Sequence, residues 1–107
     1  MATPTTKKSL EKLRKEGYTC AITETWNAFA HKRQDLFGFI DILAIKPGEI
    51  LGVQTTSKTN ISAHIDKIIK HKNFIAVKES GIKIILHGWH KGKNGKRIVW
   101  LIEEKIL

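Results

Sequence analysis

The sequence contains a single cysteine, Cys20, and no long apolar run, and each shortage excludes a class of protein. One cysteine cannot form an internal disulfide, which excludes the disulfide frameworks of small secreted domains. No stretch approaches the roughly 20 apolar residues of a membrane-spanning helix. The first residues, MATPTTKK, also lack the apolar segment of a secretory signal. We therefore expect a cytoplasmic protein with no membrane partner.

Negative charge is scarce as well. Ten Asp and Glu residues stand against 19 Lys and Arg, which leaves a formal charge of +9 on 107 residues. Such an excess favours a polyanionic partner, and the phosphates of nucleic acid are the commonest dense anionic surface in the cytoplasm. A solvated, highly charged surface without a specific partner is the alternative.

The length predicts one domain over residues 1–107. Residues 1–8 are expected to be disordered, and a polar connector is predicted at 27–34. Apolar periodicity, caps and turn residues predict helices over 9–16, 60–72 and 73–80. The same signals predict strands over 18–26, 37–45, 50–56, 82–89 and 97–103, with a loop at 91–96.

The strands at 37–45 and 50–56 form a hairpin around Pro47 and Gly48. If that hairpin closes symmetrically, Asp41 faces Gln54, and Ile40 shares the other face with Ile42. Both faces are mostly apolar, so a carboxylate there needs a hydrogen-bonding partner or a cation. Carboxylate and amide oxygens suit Mg²⁺. Local hydrogen bonding of Asp41 is the alternative explanation.

Two segments resemble a known family. They are Arg33 to Ile45, RQDLFGFIDILAI, and Gly52 to Ser57, GVQTTS. Together they resemble the PD-(D/E)XK nuclease superfamily, and look closest to small phage-type members related to Holliday-junction resolvases and to the virus-type replication-repair nuclease domain. The similarity covers about residues 9–89. It implies an α/β, restriction-endonuclease-like core in α-β-β-β-α-β order, with a mixed sheet flanked by helices and a C-terminal strand.

The resemblance also implies a metal-dependent endonuclease that hydrolyses DNA phosphodiester bonds, with branched DNA a candidate substrate and Mg²⁺ or Mn²⁺ the cofactor. A homodimer is one assembly open to such a protein, and a phage-encoded member would act in the host cytoplasm. The implied metal ligands are Asp41, Gln54 and the Thr55 carbonyl. Thr56 falls at the family's lysine position, and Glu24 is preferred over Glu11 and Glu16 as an additional site carboxylate.

Two residues depart from the family pattern. Gln54 replaces an acid and Thr56 replaces the lysine, although Lys58, if the strand continues, or Lys67 could supply that charge. A catalytically degenerate nuclease-fold module that binds DNA or a protein partner is therefore the alternative function.

Several basic and polar residues are candidates for contacting nucleic acid. Four of them repeat along one side of the helix at 60–72, although a solvated helix face has the same pattern. Asp35 is expected to pair with Arg33, although it could instead reach the metal site. The three tryptophans, Trp26, Trp89 and Trp100, are expected to fill core or edge positions rather than to stack on bases. The candidate nucleic-acid contacts are Arg33, Asn60, His64, Lys67, His71, Lys91 and Lys93.

Overall fold

A computed structural model describes residues 3–107 of the chain. It has three α-helices, seven strands and one short 3₁₀ helix. In chain order these are α1 Pro4–Lys15, β1 Thr19–Ile22, β2 Thr25–Asn27, β3 Lys32–Gln34, β4 Ile42–Lys46, β5 Glu49–Ser57, the 3₁₀ helix Lys58–Asn60, α2 Ile61–Ile69, α3 Phe74–Glu79, β6 Lys83–Asn94 and β7 Arg97–Ile106.

Helix α1 begins five residues earlier than the sequence pattern indicates. The Thr3 side chain caps it by accepting a hydrogen bond from the Thr6 backbone N–H, and Pro4 occupies the first turn, where its missing N–H costs nothing. The start predicted at Ser9 is therefore wrong, as is the disorder predicted for residues 4–8. Residues 1 and 2 lie outside the described part of the chain.

Five strands form one mixed sheet in the order β1-β4-β5-β6-β7. Only the β5–β6 pair is parallel, because α2 and α3 provide the crossover between these strands. The symmetric hairpin register is confirmed from Lys46–Glu49 to Ile42–Val53. The chain is thus an α/β protein with a mixed sheet, helices beside it and a C-terminal strand.

The strand predicted at 37–45 begins only at Ile42. Phe37 and Gly38 both have positive φ, of 55° and 96°, and they reverse the chain so that Leu36 and Ile40 exchange backbone hydrogen bonds. The reversal also separates Ile40 from Ile42, which lie in different core clusters. Their predicted placement on one face is therefore wrong.

Other boundaries differ as well. The strand predicted at 18–26 divides into β1 and β2, and the predicted connector contributes β3, which pairs with β2 in a separate two-stranded sheet. The loop predicted at 91–96 is mostly strand, since β6 continues to Asn94.

The central strands are covered on both sides. One cluster lies beneath α1 and the other beneath α2 and α3, so β5 is buried from Leu51 to Thr56. Within residues 3–107, no helix is long and apolar enough to cross a membrane. The α1 cluster contains Leu13, Ile42, Ala44, Leu51 and Val53; the other contains Phe39, Ile40, Ile61, Ile68, Phe74, Val77, Ile84 and Leu86.

Candidate metal centre

Asp41 lies at the end of the sheet where β4 begins and β5 extends beyond it. Its backbone N–H donates to the Val53 carbonyl at 2.8 Å, and its Oδ2 accepts from the Thr55 backbone N–H at 2.9 Å. The carboxylate thus takes the place of a strand carbonyl beyond the last β4–β5 pair. Asp41 is only 4% exposed, so the fold holds a carboxyl group at an almost fully buried position.

Two further carboxylates converge on Asp41. Glu24 follows β1 and Asp35 follows β3, and ligand oxygens of the three residues lie within 4.8 Å of one another. The Glu24 side chain is 4% exposed. Its Oε1, like Oδ1 of Asp35, is buried without a hydrogen-bond partner. Buried carboxylate oxygens that lack donors are strongly disfavoured, and a cation among them would remove that penalty.

Burial and neighbouring negative charge disfavour ionisation of Asp41 and Asp35. Burial, together with the negative charge of Asp35, raises the pKa of Asp41 to about 8, although the Thr55 N–H opposes this rise. Burial also raises the pKa of Asp35, and the neighbouring Glu24 contributes to the rise. At neutral pH the Asp41 carboxyl group therefore keeps its proton until a cation replaces it.

Asp35 was not among the site residues chosen from the sequence. It was expected to pair with Arg33, but the Arg33 Nη1 lies 3.6 Å from Glu24 Oε2 instead, and no Arg33–Asp35 ion pair forms in the described part of the chain. That expected pairing is wrong. The sequence carried only a weak signal, an acid directly before the turn at Phe37 and Gly38, and only the turn brings it to Asp41.

Gln54 and His64 form the wall of an adjoining cavity. The His64 Nδ1 lies 3.2 Å from the Gln54 Oε1, and burial, with the nearby Lys67 charge, lowers the pKa of His64. Asp41 bonds to Val53 and Thr55, the two neighbours of Gln54 along β5. The cavity has a volume of about 370 Å³ and is lined by Asp35, Gly38, Phe39, Gln54, His64, Lys67, Ile68 and His71.

The residues after Gln54 have unequal access to this centre. The Thr55 N–H faces Asp41, and in a strand the carbonyl of the same residue points to the same side. Thr56 is buried. Lys58 could supply the missing lysine only if β5 continued through it. Strand β5 ends at Ser57, and Lys58 starts the 3₁₀ helix with an exposed side chain, so this requirement is not met. Lys67, by contrast, lines the cavity.

Three of the four residues that repeat along one side of the helix predicted at 60–72 line this cavity. His64, Lys67 and His71 line it, whereas Asn60 lies at the exposed N-cap of α2. A second groove of about 600 Å³ adjoins it and shares Asp35, Gly38 and His71 with it. Two basic residues of this groove, Lys32 and Lys72, were not candidates from the sequence, because one lies on β3 and the other follows α2. The other groove residues are Lys32, Arg33, Gln34, Phe37, Lys72 and Asn73.

The tryptophans occupy three different environments. Trp89 is buried and donates from Nε1 to Ser9 Oγ at 2.8 Å, as expected of a core residue. Trp26 is 63% exposed and lies on β2 of the two-stranded sheet, so it occupies an edge position rather than a core position. Trp100 lies beneath two cations, with the Nζ atoms of Lys8 and Lys91 at 5.6 and 5.3 Å from its ring centre.

Comparison of the chain with models of protein families, with curated proteins and with solved structures gives no match. The resemblance to PD-(D/E)XK nucleases therefore stays a prediction, supported by the quoted residues.

Proposed function

We propose that this protein is a divalent-metal-dependent endonuclease domain that hydrolyses phosphodiester bonds in DNA. The observation that carries the proposal is the convergence of Glu24, Asp35 and Asp41, with two buried carboxylate oxygens that lack a partner. Hard oxygen ligands of this kind suit Mg²⁺ or Mn²⁺. The superfamily resemblance and the restriction-endonuclease-like core belong to the same proposal.

Three carboxylates and one carbonyl would hold the ion. Asp41 is oriented by the Thr55 N–H, and Glu24 is oriented by Arg33, so neither side chain has to reorganise to present an oxygen. The Thr55 carbonyl faces the same side. A bound divalent ion supplies Lewis-acid stabilisation of the phosphate and a more acidic water. Asp35 thus takes the part of the second acid that Gln54 does not provide.

The residues around the cluster would position the phosphate chain. Lys67 and His71 line the cavity beside Asp35, while Lys32, Arg33 and Lys72 line the adjoining groove. Together they surround an acidic centre with basic side chains, an arrangement that attracts phosphates yet leaves the carboxylates for a metal ion. Lys67 is also better placed than Lys58 to offset charge on a reacting phosphate.

The contact between Gln54 and His64 favours a second candidate function. A neutral amide occupies the position where the resembled family has an acid, and the amide oxygen is already bound by a histidine. Thr56 is buried and carries no charge. A domain of this kind would bind DNA through its basic surfaces without cutting it.

Cleavage assays separate the two functions. Supercoiled and branched DNA are incubated with Mg²⁺ or Mn²⁺ and the parent protein, or with Glu24→Gln, Asp35→Asn or Asp41→Ala. We expect each substitution to abolish or strongly reduce nicking while DNA affinity stays near that of the parent, because binding rests on the cations. Asp66→Asn on the exposed side of α2 is the matched control and should cleave normally.

Two results would contradict the proposal. Equal cleavage by the Asp41→Ala protein and the parent would place the active centre elsewhere or reveal a contaminating nuclease. A parent protein that binds DNA but shows no cleavage with either metal would favour the binding-only function.

A further inference from the structure

The last two strands extend past the rest of the sheet as a separate ribbon. Pairing between β5 and β6 ends at Ser57–Trp89, but β6 and β7 remain paired for five further residue pairs, from His90–Leu101 to Asn94–Arg97. At about 3.4 Å per residue, the ribbon projects about 17 Å. A two-residue turn closes it, with Gly95 at φ 65°, the conformation that keeps paired strands aligned. The ribbon is therefore a regular arm rather than a flexible loop.

The charge of this ribbon, residues 90–101, has one sign. It contains four cations and no acid, and none of the four forms an ion pair with another residue of the range 3–107. Unpaired cations at this density predict a polyanionic ligand. The four are Lys91, Lys93, Lys96 and Arg97.

One face of the ribbon combines cations with apolar side chains. Lys91 pairs with Trp100 and Lys93 with Ile98, and opposed residues share a face. Ile98 is 70% exposed, and the Lys91 ammonium lies over the Trp100 ring. Apolar side chains contact thymine methyl groups in a DNA groove, and lysines at its rim contact phosphates.

The ribbon leaves the sheet at the end that carries the carboxylate cluster. Strand β6 runs parallel to β5, with His87 beside Thr55, so the ribbon begins three residues beyond the level at which Thr55 binds Asp41. That is about 10 Å along the strands, and the ribbon lies about two strand spacings to one side, again about 10 Å. Both features therefore fit within one helical turn of a duplex, about 34 Å.

We infer that residues 90–101 form a DNA-gripping arm that enters a groove of double-stranded DNA and holds the duplex across the carboxylate cluster. This inference rests on the proposed function and specifies its substrate class as duplex rather than single-stranded DNA. A major groove about 12 Å wide admits a two-stranded ribbon. The arm spans about half a helical turn, so its cations reach phosphates on either side of one groove.

The test is a binding titration in the absence of cleavage. A labelled duplex and a single strand of the same sequence are titrated, without divalent metal, with the parent and with a variant carrying K91Q, K93Q, K96Q and R97Q. We expect the variant to lose at least about tenfold in duplex affinity. The magnitude of the slope of log affinity against log salt should fall by up to about 3.6, since each of the four phosphate contacts contributes about 0.9.

A matched control removes the same charge elsewhere. The control residues lie outside the ribbon, at the C-cap of α2, on α3, at the start of β6 and near the end of β7, and they are Lys70, Lys78, Lys83 and Lys105. Their combined replacement by glutamine should reduce duplex affinity less than threefold, which excludes a simple effect of net charge. Circular dichroism and thermal unfolding check that both variants keep the fold.

The outcomes are distinct. Ribbon-dependent duplex binding supports the arm whether or not the parent cleaves DNA, and absence of cleavage then counts against the proposed activity alone. Equal losses in the ribbon and control variants would overturn the inference, as would equal losses for duplex and single strand. A ribbon variant that changes from dimer to monomer in light scattering while its duplex affinity is unchanged would also overturn it, and would assign β7 to self-association.

Discussion

Replacing Asp41 by asparagine should stabilise the metal-free protein and remove its response to metal. Asparagine keeps an oxygen that can accept the Thr55 N–H, and its amide can donate to the neighbouring Asp35 carboxyl group. It also removes the need to keep a buried carboxyl group protonated. The substitution therefore retains the local geometry while it abolishes one charge.

The magnitude follows from the raised pKa. Asp41 has a folded-state pKa of about 8, against an ordinary value of 3.8. Between these values the unfolded chain releases its proton while the folded protein keeps it, so stability falls as pH rises through the window from about 4 to 8. At pH 7 the solution is about three pH units above the ordinary pKa of Asp41. The buried carboxyl group therefore lowers the free energy of unfolding by at most about 4 kcal/mol.

We expect Asp41→Asn to recover about half of that limit, about 2 kcal/mol at pH 7, because Asp35 stays buried beside it. In a chain of this size this raises Tm by about 8 to 16 °C. Urea and thermal unfolding are measured at pH 5, 6 and 7 in EDTA and then with Mn²⁺. In EDTA the difference in free energy of unfolding between the variant and the parent should grow from pH 5 to pH 7. Mn²⁺ should stabilise the parent much more than the variant.

Asp66→Asn is the matched control, because Asp66 is an exposed carboxylate paired with Lys70, and its loss should change stability by less than about 0.5 kcal/mol. The reasoning is refuted if Asp41→Asn is less stable than the parent at pH 7 in EDTA. It is equally refuted if Mn²⁺ stabilises both proteins to the same extent.

Three further substitutions test neighbouring parts of the structure. Gln54→Glu adds a carboxylate beside the cluster and should tighten Mn²⁺ binding about tenfold, or 1.4 kcal/mol, by calorimetry; an unchanged Kd contradicts this. Ser9→Ala removes the hydroxyl 2.8 Å from the buried His87 Nδ1 and should cost about 1 to 3 kcal/mol in urea unfolding; unchanged stability would make that contact dispensable. Gly38→Ala places a Cβ against the His71 imidazole at φ 96°, so a loss of about 1 to 3 kcal/mol is expected, and an unaltered unfolding midpoint would argue against the turn geometry.

Much of the secondary structure could be predicted from local signals. Pro47 and Gly48 fix the hairpin register, since a turn between two apolar runs leaves few alternatives. The isoleucines of α2 likewise predict an amphipathic helix, and its polar side does carry His64 and Lys67 towards a cavity. These features depend on residues close together in the chain.

The start of α1 and the limits of β4 were predicted wrongly for equally local reasons. The helix starts at the Thr3 cap and Pro4 rather than at Ser9, and the positive φ values of Phe37 and Gly38 reverse the chain before β4 begins at Ile42. A left-handed conformation at a bulky residue is not visible in hydrophobic periodicity, because the periodicity reports which residues are buried and not the backbone φ of each residue.

The composition of the acidic cluster was decided only by the tertiary structure. The apolar strand identified Asp41 as a candidate from the sequence pattern, whereas Glu24 was implied by the resemblance to the nuclease superfamily. Asp35 lies beside them because the β2–β3 hairpin and the turn at Phe37 and Gly38 reverse the chain on either side of it, and Arg33 pairs with Glu24 instead. A carboxylate in a loop has no periodicity to reveal its direction, so its partners depend on contacts between residues distant in sequence, and those contacts exist only in the folded chain.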